Sequence, residues 1–338
     1  MQDTTQLIFL NKVLINYSKR SEAIEELSRL LSIGKDAVYR RLRGDTELTL
    51  EEVKILANRY SLSLDEILFE NNEKALFTVN SFFTPVRKFS DYLRSLRYYL
   101  DQASLLRNPE VIYATAEIPM FLYGTFPELM CFKMYVWGKT VWNLSTALDN
   151  QFSFDLFSTE LKQQMIACSK QYMTFKTTEL WCLNILDNTL NQLEFVLTNG
   201  NFKTPSDSLV VCDKMSALIN HVWKMAETGK KYNPGDSSED ASVNFELFHN
   251  ELVYTNNTIL LKSESTNVVF STFDSPNVLS TTDQRIFEHT ENWFLGIKNK
   301  SEYITEVSEK SRNQFFIKLE QKINKTKTRL QAYINELA

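Results

Sequence analysis

The chain has 338 residues, which at roughly 100 to 200 residues per domain points to two or three domains. Its hydrophobic fraction of 43%, with only eight Gly and seven Pro, excludes a largely disordered chain and favours an ordered, helix-leaning one. A formal net charge of -5 excludes a protein coated in nucleic acid, so any DNA contact has to be local.

The opening "MQDTTQLIFLNKVLINYSKR" lacks the basic start, long apolar core and small-residue cleavage site of a signal peptide, and it reads as a helix. Apolar residues recur at helical spacing through "TQLIFLNKVLINY". Ser21 is placed to cap a second helix, "EAIEELSRLL", with Glu22, Glu25 and Glu26 near its positive end. The third helix lies in "SIGKDAVYRRLRGD". Val38 and Leu42, at i and i+4, turn one face inward, the charged residues spread over the others, and Gly44 ends it. Two capping boxes, Thr49 to Glu52 and Ser63 to Glu66, start a fourth and a fifth helix.

After "FENNEKALF" the texture changes to long aromatic-rich segments. The expected organisation is a first domain over 1–72, a linker over 73–85 and a larger domain over 86–338. Helices are expected at about 86–106, 127–147, 158–171, 177–198 and 205–229, with a strand in "VIYATA" at 111–116. "KKYNPGDSSEDAS" reads as a flexible loop. Beyond it the period turns to two. "NFELFHNELVYT", "NTILLKSES", "NVVFSTF" and "NVLST", separated by polar turns, read as an antiparallel meander. Thr281 and Gln284 suggest a capping box for the next helix, and a last helix runs from about Ser301. Phe316, Leu319, Ile323, Leu330, Tyr333 and Leu337 give that helix a near-heptad stripe that either pairs subunits or packs on its own sheet. The larger domain is therefore expected to be helix-rich α+β with an antiparallel sheet.

"LSRLLSIGKDAVYRRLRGD" followed by "LTLEEVKILANRYSLSLDEIL", about one seventh of the 338 residues, resembles the DNA-binding domain of the lambda-repressor-like, or XRE-type, helix-turn-helix family. The matching features are Leu27 with Ser28, Ile33 in the turn, the helix from Lys35, Gly44, Ile55-Leu56-Ala57 and the ending Leu64 to Leu68. The sequence departs from the family at Ile24, where many members carry a glutamine, at Ser32, where they carry the turn glycine, and at Arg41, whose site is often apolar. The resemblance implies an all-α five-helix unit and a bacterial transcriptional regulator that binds double-stranded DNA as a homodimer in the cytoplasm. It also implies that Lys35, Asp36, Tyr39 and Arg40 face base edges in the major groove, while Arg41 and Arg43 meet phosphate. An arginine can donate to guanine O6 and N7, and a tyrosine can donate to phosphate. Asp36 either accepts from cytosine N4 or favours the helix N-terminus.

Residues 1–70 hold ten Lys plus Arg against twelve Asp plus Glu, but residues 35–43 hold four against one. That concentration on one helix is what a local DNA footprint requires, although a solvated basic helix would show it too.

No nucleophile elbow, Walker loop or dinucleotide fingerprint occurs, and His221, His249 and His289 lie far apart, so no catalytic, metal or cofactor site is expected. Cys131, Cys168, Cys182 and Cys212 are widely spaced and read as reduced thiols. No run of 18 apolar residues occurs, so no membrane partner is expected. The aromatic run "IPMFLYGTFPELMCFKMYVWGKTVW" either lines a pocket for a small-molecule or protein effector or is core. An enzyme that carries the helix-turn-helix for targeting is the alternative reading.

Overall fold

A computed structural model of the chain describes residues 4–17, 19–60, 62, 64, 67, 75–80, 85–251 and 257–337, and it divides into two units, Met1–Leu76 and Phe77–Ala338. The first unit contains α1 (Thr5–Leu14), α2 (Arg20–Leu31), α3 (Lys35–Arg43) and α4 (Leu50–Tyr60). Phe9, Leu10 and Val13 from α1 meet Ile24 and Leu27 from α2, Val38 and Leu42 from α3 and Leu56 from α4 in one apolar core. Ser21 does not cap α2, because the helix already starts at Arg20 with Lys19 at its N-cap. The capping box at α4 is formed: the Thr49 N–H donates to Glu52 Oε2 at 2.8 Å and the Glu52 N–H to Thr49 Oγ1 at 3.2 Å. Ser63, Asp65 and Glu66 of the second expected box lie outside the described residues, while Ile67 and Leu64 pack against the core.

The second unit is built on a mixed sheet of β1 (Thr78–Val79), β2 (Glu110–Ala114), β3 (Lys176–Trp181), β4 (Lys230–Lys231), β5 (Val243–His249), β6 (Thr258–Lys262), β7 (Val268–Thr272), β8 (Val278–Thr281) and β9 (Glu302–Tyr303). The order is β1-β8-β7-β6-β2-β3-β5-β4, with β9 also paired to β5. Helices of this unit are α5 (Phe89–Ser104), α6 (Met120–Tyr123), α7 (Pro127–Thr140), α8 (Ser145–Leu148), α9 (Thr159–Tyr172), α10 (Asp187–Thr198), α11 (Asp207–Thr228), α12 (Gln284–Lys298) and α13 (Glu309–Leu337).

Several expectations are corrected. Residues 177–181 form a strand and not the start of a helix; β3 runs parallel to β2 and to β5. The meander is therefore three strands, β6 to β8, and "NFELFH" crosses to the far side of β3. Thr78 and Val79, expected in the linker, pair with Leu279 and Ser280 as an edge strand. The cap of α12 is Asp283, whose carboxylate accepts from the Arg285 and Ile286 N–H groups, while Thr281 Oγ1 accepts from Asp283 itself. α13 starts at Glu309 and lays its apolar stripe on α10 and α11 of its own unit, with Phe316 stacked on Trp223 at 5.4 Å. It lies mainly on helices and also reaches the sheet, where Phe315 meets the His249 ring of β5 at 4.5 Å.

Alternation along the strands sorts the side chains onto two faces. Val111, Tyr113, Trp181, Phe245, Leu247 and Leu261 join the large helical layer, and Ala114, Leu180, Phe248, Leu260 and Val269 pack on Phe287, Phe294 and Ile297 of α12. Among the described residues no helix is long and apolar enough to cross a membrane.

Into the apolar face β3 places one fully buried carboxylate. Glu179 accepts from the Tyr172 hydroxyl at 2.9 Å and from the Trp181 indole N–H at 2.7 Å. Nearby, the Lys231 ammonium donates to the Tyr172 carbonyl at 2.8 Å and Thr177 Oγ1 at 2.7 Å, over the Tyr172 ring. Burial pushes the Glu179 carboxyl up, opposed by the charge of Lys231, and pushes the Lys231 ammonium down. Removing one member of such a buried set leaves the other charge uncompensated. Lys231→Met is expected to cost about 3 kcal/mol of stability in urea unfolding, and Lys231→Met with Glu179→Gln to cost less than Lys231→Met alone. Equal losses for the single and double variants would show that the two charges do not depend on each other.

Candidate nucleic-acid interface

Three local devices set α3. The chain leaves α2 through Ser32 in the left-handed region (φ 54°), enters α3 through the extended Gly34, and leaves it through Gly44 (φ 80°). The α2–α3 turn is pinned by Ser28, whose carbonyl accepts from the Ile33 N–H at 3.2 Å and whose hydroxyl donates to the Ile33 carbonyl at 2.5 Å. Val38 and Leu42 then anchor the buried face.

The far end of α3 is held from two sides. Gln6 of α1 donates to the carbonyls of Arg41 (3.0 Å) and Thr46 (2.9 Å) and accepts from the Leu48 N–H (2.8 Å). Arg41 itself turns inward. Its guanidinium meets both Glu52 carboxylate oxygens, at 3.1 and 2.8 Å, and donates to the Ala37 carbonyl. Its side chain is only 14% exposed and its fork is occupied by Glu52, so the phosphate contact expected of Arg41 would require it to leave that pair. Burial pushes the Glu52 carboxyl up, but hydrogen bonds from Arg41 and Thr49 outweigh it and hold the group below the usual carboxylate range.

What remains on the outer face is Lys35, Asp36, Tyr39, Arg40 and Arg43, all exposed, with Tyr39 at 42%. Lys35 pairs with Glu25 and Arg43 with Asp45, each at 2.7 Å. Such exposed pairs contribute at most about 1 kcal/mol, so a phosphate can replace either carboxylate. Among the described residues no acidic side chain pairs with Arg40. Gln6 and the ionic role of Glu52 are the members that sequence reasoning missed. Gln6 acts on groups 35 to 42 residues away, and nothing in its local pattern marks it.

Elsewhere the chemistry-bearing residues do not gather. Among the described residues no group of three His, Cys, Asp or Glu side chains could hold a metal. His221 is buried against the Tyr232 carbonyl, and His249 lies beside Glu251. Cys131, Cys168 and Cys212 are buried and Cys182 half-buried; burial pushes the thiols of Cys131 and Cys212 up to about 12 and that of Cys168 up to about 11. Past the carboxyl end of β2, Glu117 meets Lys133, but Lys133 is wholly buried and also bound to Thr189 and Gln192. In the aromatic run, Phe132, Tyr135 and Trp137 are core, whereas Phe121 borders a cavity.

No protein-family model, curated protein or solved structure matches the chain.

Three outcomes are expected. Ser32→Gly relieves a left-handed non-glycine residue and should raise stability by about 0.5 kcal/mol, measured as a higher melting midpoint. Glu52→Gln removes half of the clamp and should speed amide hydrogen exchange across residues 35–60 of the full chain, by about tenfold or more, while leaving exchange in α11 unchanged. Because the folded-state value of Glu52 is depressed, the same segment should lose protection in the wild type as pH falls below about 4.3, and this acid-dependent loss should be smaller in the variant.

Proposed function

We propose that the chain is a transcriptional regulator that binds double-stranded DNA sequence-specifically through its N-terminal unit, with that unit folded as a lambda-repressor-like helix-turn-helix. The observation that carries this reading is the sorting of α3. Its apolar residues and Arg41 are spent inward, and Lys35, Tyr39, Arg40 and Arg43 stand together on the outer face. In a chain of net charge -5 such a patch limits contact to one helix, which suits insertion into a major groove and not a broad electrostatic wrap.

Arg40, without an acidic partner among the described residues, takes the base-reading role, with donation to guanine O6 and N7. Lys35 and Tyr39 flank it on the N-terminal half of α3, and Arg43 takes phosphate in exchange for Asp45. Asp36 sits in the first turn, where its charge favours the helix dipole. A single such unit has a small interface, so the second unit is assigned the pairing of two copies on half-sites about 34 Å apart. The cytoplasm is the compartment this function implies.

Selection of bound sequences from a random duplex pool with the full chain supplies the site for the test. On it Arg40→Ala should weaken binding by about 1 to 3 kcal/mol while leaving random-duplex binding little changed. Arg43→Ala should weaken both and reduce the salt slope by about one. Equal loss on both duplexes for Arg40→Ala removes it from base reading, and failure to retain any duplex at low salt removes the DNA reading altogether.

A further inference from the structure

The second unit holds an opening between α5 and the β2, β6 and β7 strands, with about 90 Å³ of free space. Native interiors rarely leave a void larger than a water molecule, and the walls here are almost wholly apolar, so water gains few partners in it. An engineered apolar cavity of about 150 Å³ holds benzene; the enclosed space here is smaller but open on one side, so a single ring enters with part of it at the mouth, and a peptide side or a long acyl chain does not.

The walls select the ring. Phe121 stacks on Tyr172 with centroids 4.7 Å apart, and Tyr99 meets Phe270 edge-on at 5.8 Å, so an aromatic guest finds both faces and edges of other rings. No Lys, Arg, His, Asp or Glu lines the space among the described residues, which excludes a charged guest because its desolvation would go uncompensated. Asn80, Ser95 and Tyr99 also border the space; of the two buried hydroxyl-bearing residues, Tyr172 is held by Glu179, which leaves Tyr92 as the deep polar handle. The Tyr92 hydroxyl, in a residue 3% exposed, donates to the Met120 sulfur at 2.8 Å. A thioether is a weak acceptor, and a carbonyl oxygen would take that proton on better terms. Half-buried Ser95, Tyr99 and Phe270 border the space, so entry does not require opening the core.

We propose that this cavity is a binding site for a small neutral aromatic compound bearing one carbonyl oxygen, with the ring among Tyr99, Phe121, Tyr172 and Phe270 and the oxygen accepting from Tyr92. The assignment deepens the regulator reading by giving the second unit a ligand, but binding is scored without DNA, so the two stand or fall separately.

The probes are acetophenone, cumene as its near-isostere without oxygen, and benzoate as a charged analogue, titrated into the full chain by calorimetry. The expected result is saturable binding of one acetophenone per chain, about fivefold weaker binding of cumene, and benzoate weaker by a hundredfold or more. Ala103→Phe fills the space and abolishes binding. Tyr92→Phe, which alters no volume beyond one oxygen, brings acetophenone down to the affinity of cumene and leaves cumene unchanged. Absence of saturable acetophenone binding up to millimolar concentration overturns the proposal, as does benzoate binding equal to acetophenone. An acetophenone-to-cumene ratio unchanged in Tyr92→Phe overturns it as well, and this readout stands even where Ala103→Phe fails to fold.

Discussion

The second unit depends on a carboxylate kept where carboxylates are costly. Glu179 lies wholly inside the layer between sheet and helices, and it is tolerable there because Tyr172 of α9 and Trp181 of β3 itself donate to it and the charge of Lys231 on β4 lies nearby. Those contacts exist in one register. A slip of β3 by a single residue would send Glu179 and Trp181 to the α12 face and leave the Tyr172 hydroxyl and the Lys231 ammonium in an apolar layer without the carboxylate. Such a buried set adds little to stability compared with apolar packing, and its effect is to penalise the alternatives. The strands on both sides of β3 inherit that register, and with it the placement of the helices that wall the cavity.

The same residues explain where sequence pattern was readable and where it was not. α3 was legible because Val38, Leu42 and Gly44 each act locally, through spacing and backbone conformation. β3 was not. "KTTELW" has neither the alternation of a half-exposed strand nor the apolar run of a buried one, because Thr177, Thr178 and Glu179 are buried polar groups satisfied by residues from Phe175 to Glu246. "NFELFH" had the right period but no signal for its neighbour, and adjacency in sequence suggested the meander where a parallel crossover stands. Arg41 differs in the opposite sense: as one of three arginines in four positions it reads as surface charge, whereas its contact with Glu52 turns it inward.

In the first unit rigidity and display are separated along one helix. Gln6 and the Arg41–Glu52 pair hold the end of α3 and the chain after it, so the outward side chains project from a fixed backbone and carry no structural duty of their own. A surface arranged in this way can change its outward residues with small effect on the fold. Surface chemistry and stability can then vary independently.

The depth of the cysteines has a practical side. With the thiols of Cys131, Cys168 and Cys212 moved up to about 11 and 12, little of each is ionised at neutral pH, and it is the thiolate that reacts with maleimides. Cys182, half-buried, is shifted the same way. Three of the four native thiols thus give a low background for thiol labelling, and Cys182 is the one to replace first. A reporter dye or spin probe attached to one cysteine introduced on the exposed face of α3 would follow that helix.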